Sequence, residues 1–245
     1  MNIPFTLGDG KLGAPRIDRA GLPAHAEELL ANYEKRGIVV LSVCWWEVVS
    51  FGSFAFMVLL QPNLKLPDGT TKGNERFIVR PDPCTLVVLS DDMQLVVAQE
   101  EFRPVVKNET DAYMLTHVGG WGRNKTPDEM MAAELFEEMG MVMAQPLRRV
   151  ATRQRDGVAA PTGTAVYCAV LPRAQVDALR AAEPKKYGNL DEGEMTRGPI
   201  VMRIDDFISN PRTPLVDAGA LALALQLCSG GRMDVCRNEV RGDDK

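Results

Sequence analysis

The stretch that decides the fold is residues 119–141, GGWGRNKTPDEMMAAELFEEMGM. Thr126 followed by Glu129 is a capping box, Pro127 suits a first helical turn, and Gly140 is a stop, so the spacing predicts a helix over Thr126–Met139. Within it Glu134, Glu137 and Glu138 stand at i, i+3 and i+4 and share one side. Like charges at that spacing repel by roughly a few tenths of a kcal/mol per pair on an exposed helix. A solvated acidic face and a metal site are both compatible with the three residues alone.

Working outward, CTLVVL and QLVVAQ flank Ser90-Asp91-Asp92-Met93 and read as a central hairpin, apolar on both faces. Upstream lie a helix from Pro23 to Lys35 that ends at Gly37, then two apolar strand-like runs between Val39 and Leu60, the turn LPDGT and the short strand ERFIV. Downstream come the strand TAVYCAVL, a short helix near Ala174–Ala182, a polar loop KKYGNLDEGEMTRG, the strand IVMRI, the segment DDFIS and a helix from Asp217 to Cys228. The organisation read from these signals is an N-terminal arm and helix over 1–45, an α/β domain over 46–230, and a flexible tail over 231–245.

Composition narrows the function. The 245 residues are 45% hydrophobic and 25% charged, with a net charge of −5, so no basic excess is available for a phosphate backbone and nucleic-acid binding is not expected. Ile38–Leu60 carries one charge, Glu47, yet Gly52 and Ser53 interrupt it and its β-branched and aromatic residues suit strands, so no membrane span is expected. The start, MNIPFTLGDGKLGAPR, lacks the apolar core of a signal peptide. The five cysteines, Cys44, Cys84, Cys168, Cys228 and Cys236, are scattered, which predicts a reducing cytoplasm with neither a disulfide framework nor a zinc site. With only His25 and His117, catalysis would fall to carboxylates.

The quoted stretch resembles the Nudix box, whose pattern is Gly, five residues, Glu, seven residues, then Arg-Glu-hydrophobic-any-Glu-Glu-any-Gly-hydrophobic. Gly119, Glu134, Leu135, Glu137, Glu138, Gly140 and Met141 match in register, whereas Lys125 replaces the glutamate and Ala133 the arginine. The likeness extends over roughly residues 48–228 and is nearest to the ADP-ribose pyrophosphatase branch: VVAQEEFRP, with Gln99 and Arg103, is similar to that branch's Gln-x-x-Arg element. APTGT, with Pro161 and Gly163, is similar to its Pro-Gly loop, and NLDEGEMTRG supplies Glu192 or Glu194 where the branch has a late glutamate.

The resemblance implies a mixed β-sheet sandwiched between α-helices, a homodimer built through the N-terminal strands, and Mg²⁺- or Mn²⁺-dependent hydrolysis of a nucleoside diphosphate derivative. In that reading Glu134, Glu137 and Glu138 bind metal, and Glu192 or Glu194 is the base. Arg103, Gly119, Gly120, Trp121 and Trp46 contact substrate, the tryptophans by stacking, although core packing also suits one of the neighbouring Trp45 and Trp46. The departures at Lys125 and Ala133 equally allow a weak or inactive domain that binds a nucleotide or a protein partner.

Overall fold

Apolar strands and capped helices form largely where the sequence signals place them. The computed structural model describes residues 15–17, 19–51, 54–73, 75–81, 83–102, 113–120, 126–156, 160–187 and 195–240. They fall into two units, residues 1–82 with 154–163 and residues 83–153 with 164–245.

In the first unit, helix α1 (Ala24–Lys35) is followed by strands β1 (Val39–Phe51), β2 (Phe54–Lys65), β3 (Thr71–Lys72) and β4 (Phe77–Val79). β1 and β2 pair antiparallel, and β3 and β4 both pair with β2. Ala26 and Leu30 of α1 are buried with Val43, Trp45, Val58, Leu60, Phe77 and Val79 in one apolar cluster. The apolar run is thus a sheet rather than a span. Among the described residues no helix is long and apolar enough to cross a membrane.

The second unit begins with β5 (Cys84–Ser90), β6 (Leu95–Phe102), β7 (Tyr113–Thr116), β8 (Val118–Gly120), α2 (Pro127–Met139) and β9 (Arg148–Asp156). Next come β10 (Ala160–Leu171), whose residues up to 163 belong, with the last residues of β9, to the first unit, then α3 (Arg173–Ala181), β11 (Lys185–Tyr187), β12 (Thr196–Arg203), α4 (Ile204–Ser209), α5 (Leu215–Leu227) and α6 (Met233–Cys236). The sheet order is β11-β12-β6-β5-β10-β9, with β7 beside β6 and β8 beside β5. β10 runs parallel to β5, while β5 and β6 are antiparallel, so the sheet is mixed and the chain is a mixed α/β protein.

Period-2 alternation divides the core. Leu86 and Val88 of β5, with Tyr167, Ala169 and Leu171 of β10, join Met130, Met131, Leu135 and Met139 of α2 and Val176 of α3. Val87 and Leu89, with Val166, Cys168 and Val170, join Phe207 of α4 and Ala220, Leu221 and Ala224 of α5. All seven β5 residues are buried, as a strand covered on both faces requires. Truncating Leu86 to Ala would cost roughly 2–5 kcal/mol.

Three expectations change. Lys185–Tyr187, read as part of a polar loop, pairs antiparallel with Thr196–Gly198, because backbone bonding at the sheet edge does not require apolar side chains. Pro161 and Gly163 stand in strand β10, not in a loop. Of residues 231–245, read as a flexible tail, the described part is anchored at Asn238. The Asn238 N–H donates to the Val170 carbonyl (2.8 Å), its side-chain amide donates to the Gln145 carbonyl (3.1 Å), and its Oδ1 accepts from the Gln145 N–H (3.1 Å). Its polar composition marks hydrogen bonding to the sheet rather than solvation.

Candidate functional site

Helix α2 is fastened at both ends before any functional side chain is considered. The Thr126 hydroxyl accepts from the Glu129 N–H, and the Glu129 carboxylate accepts from the Thr126 N–H at 2.9 Å. Gly140 closes the helix with φ 65°, and a Cβ there would lie 2.7 Å from the Tyr187 hydroxyl oxygen. Met130 on one side of Glu134 and Glu138, and Met131, Leu135 and Met139 on the other, are buried in the core. The rotation of the helix about its axis, and with it the direction of each glutamate, is fixed by that burial.

The three glutamates meet different surroundings. Glu138 is buried, Glu134 is half-buried and Glu137 is exposed. The Glu138 Oε2 accepts from the Gln99 side-chain amide at 2.9 Å and from the Gly119 N–H at 3.2 Å. Burial pushes the Glu138 carboxyl well above the ordinary range. The Gln99 bond opposes that shift, and the charges of Glu134 and Glu101 add to it.

β8 brings its glycines to the same corner. A Cβ on Gly120 would lie 2.3 Å from Glu134 Oε1, and one on Gly119 would lie 2.8 Å from the Cys84 carbonyl oxygen. The space left by Gly120 is therefore filled by the Glu134 carboxylate, and Gly119 permits close pairing of β8 with β5. Cys84 adjoins this acidic corner: burial, together with Glu134 and Glu138, raises its thiol to about 11. The approach to the glycines is also braced from behind, because the buried Asp217 of α5 accepts the His117 N–H at 2.9 Å. The His117 ring is buried against Phe207, with centroids 4.9 Å apart, and burial lowers its pKa to about 4. Neutral and enclosed, the ring packs as part of the core.

The expected site residues thus separate. Glu134, Glu138, Gly119, Gly120 and Gln99 come together, while Glu137 lies on the exposed side of the same helix. Trp46 belongs to the first unit, half-buried, with the Arg76 guanidinium 5.6 Å from its ring centroid. Its neighbour Trp45 is core. Arg103, Trp121, Lys125, Glu192 and Glu194 lie outside the described residues. Ala133 is half-buried on α2.

Glu101 was not anticipated. Its signal was available, since it stands two residues beyond Gln99 on β6 and shares that residue's face. Also unanticipated, Cys168, Cys228 and Cys236 meet in the fold, so the reading of the cysteines as scattered fails for these three. They form the one group of three His, Cys, Asp or Glu ligand atoms within 4.8 Å of one another among the described residues.

No protein-family model matches the chain, and no curated protein matches it. Among solved structures, one described as an ADP compounds hydrolase is similar, with a TM-score of 0.47 and 13% identity, over 91% of this chain and 100% of that chain.

Proposed function

We propose that the chain is a metal-dependent hydrolase of a nucleoside diphosphate linked to another moiety, of ADP-ribose or nucleotide-sugar type, acting by water attack on a diphosphate phosphorus. The observation that carries the reading is the buried Glu138, set beside Glu134 and Glu101 at the Gly119-Gly120 corner. Two charged neighbours that act on Glu138 among the described residues, Glu134 and Glu101, are themselves acidic. A corner of hard carboxylate oxygens that repel one another fits a divalent cation of the Mg²⁺ or Mn²⁺ type.

Glu134 and Glu138 would hold the ion, with Glu137 a further ligand or an orienting group. A bound Mg²⁺ or Mn²⁺ offsets the diphosphate charge and makes a bound water more acidic. The chain's own groups set the rest. Gln99 and the Gly119 N–H fix the Glu138 Oε2, and among the described residues no hydrogen bond takes up its other oxygen, which would face the ion. Glu192 or Glu194 is the proposed base, Arg103 the proposed phosphate clamp, and Gly119, Gly120, Trp121 and Trp46 the proposed substrate contacts. The same reading places the chain in the Nudix superfamily, with that family's sheet between helices and a homodimer.

A second reading is favoured by one specific observation. The described carboxylates do not bring three ligand oxygens within 4.8 Å of one another, which, with Lys125 and Ala133 in the box, suits a domain that binds a nucleotide without turnover. Purified protein with Mg²⁺ or Mn²⁺, assayed against ADP-ribose, nucleotide sugars and dinucleoside polyphosphates, separates the two. Product that disappears in Glu138→Gln supports the hydrolase. Nucleotide binding with no product above the Glu138→Gln background supports the binder and ends the hydrolase reading.

A further inference from the structure

Sixty residues separate Cys168 from Cys228, yet the fold packs their sulfurs and that of Cys236 into one triangle with every side within 4.8 Å. Cys168 projects from β10 toward the same cluster as Val166 and Val170, on the face opposite the one that α2 covers. Cys228 opens a π-helical turn, Cys228–Arg232, at the end of α5, and Cys236 is the last residue of α6. Gly231, at φ 82°, turns the chain between them. The segment is then pinned beside β10 by the Asn238 N–H to Val170 carbonyl bond and by the Ala144 N–H, which donates to the Glu239 carbonyl at 2.7 Å. The three thiols are 1%, 3% and 2% exposed and carry no disulfide.

We infer that Cys168, Cys228 and Cys236 form a buried three-thiolate site for a soft monovalent metal ion, Cu(I). Metal–sulfur bonds of about 2.3 Å hold three sulfurs about 4 Å apart, so the triangle needs little contraction to close on an ion. A disulfide would join two of these sulfurs and leave the third without a role. Thiolates select soft cations such as Cu(I) or zinc, and structural zinc sites take four ligands. Among the described residues no histidine or carboxylate completes this group, and burial keeps solvent from doing so. Three-coordination therefore favours Cu(I). Binding releases the thiol protons as the copper–sulfur bonds form, with no change of oxidation state.

The test is an anaerobic titration of the reduced full chain with Cu(I) against a competing Cu(I) chelator, followed by thiolate-to-copper charge-transfer absorption. One ion per chain is expected. Cys236→Ser should weaken binding by about 100-fold or more, beyond what a change outside the ligand shell causes, and Cys44→Ser should leave it unchanged. X-ray absorption of the wild-type protein loaded with one Cu(I) supplies a second readout that needs no variant to fold: three sulfur neighbours at about 2.3 Å are expected. Fewer than three sulfur neighbours, or wild-type affinity in a folded Cys236→Ser, would show that the thiols serve packing only. Zn²⁺ that holds the site against Cu(I) would overturn the three-coordinate assignment.

Discussion

Replacing Glu138 by Gln should make the metal-free protein more stable at pH 8 while removing the hydrolysis proposed above. Glu138 is 5% exposed, and desolvating a carboxylate to that degree costs several kcal/mol. Its two donors, at 2.9 and 3.2 Å, each return about 1.5–3 kcal/mol, whereas Glu134 and Glu101 add repulsion. The net cost of the ionised form is of order 1–3 kcal/mol. Because the folded pKa is raised, the folded chain keeps a proton that the unfolded chain has lost. Stability therefore falls as pH rises from about 4.5, the ordinary carboxyl value, toward the raised folded value, and stays lower above it. Gln carries no charge at any of these pH values. At about 2–4 °C per kcal/mol, the variant should melt roughly 2–12 °C above wild type at pH 8, and the gap should close near pH 4. Differential scanning fluorimetry in chelator, across that range, measures it. Adding Mg²⁺ or Mn²⁺ should raise the wild-type melting point and not that of the variant. A variant that melts below wild type at pH 8 by as much as at pH 4 would mean that the buried charge carries no cost, and the reasoning would fail.

Gly120→Ala should displace the Glu134 carboxylate, because the new Cβ would meet Oε1 at 2.3 Å. The clash is with the end of a side chain, so Mn²⁺ affinity by calorimetry should drop while stability changes by less than about 1 kcal/mol. Thr126→Ala removes the capping hydroxyl and should cost about 0.5–2 kcal/mol in urea unfolding, with metal affinity retained in the folded fraction. Gly140→Ala meets both a positive φ and the Tyr187 hydroxyl, so denaturant unfolding should show a loss of about 1 kcal/mol or more.

The parts of this fold that were legible in the sequence are those decided by neighbours along the chain. The capping box, the Gly140 stop and the β5–β6 hairpin each depend on residues a few positions apart, and each formed as read. Gln99 was read as one half of a motif, and the fold gives it a partner 39 residues away. What escaped was set by tertiary contact. Nothing in the spacing of Cys168 and Cys228 announces that a strand and a distant helix end will meet. The polar look of the segment after Cys228 hid a residue, Asn238, whose side chain bonds Gln145 in both directions. Glu101 differs: the two-residue period of β6 puts it on the face of Gln99, a signal separate from the helical spacing that marks the glutamates of α2.

The bond from the His117 N–H to Asp217 spans 100 residues and ties the glycine corner to the last third of the chain. Domains are completed as they leave the ribosome, at about 5–20 residues per second. Helix α2 emerges early, but the strand break at His117 has its acceptor only after residue 217, and the Gln145 turn has its partner only after Asn238. The acidic corner is therefore among the last parts of the second unit to be finished. A nascent chain halted near residue 210 would display the carboxylate helix without the brace that positions its glycines, so premature termination late in the message should yield an unstable product rather than a trimmed, folded one.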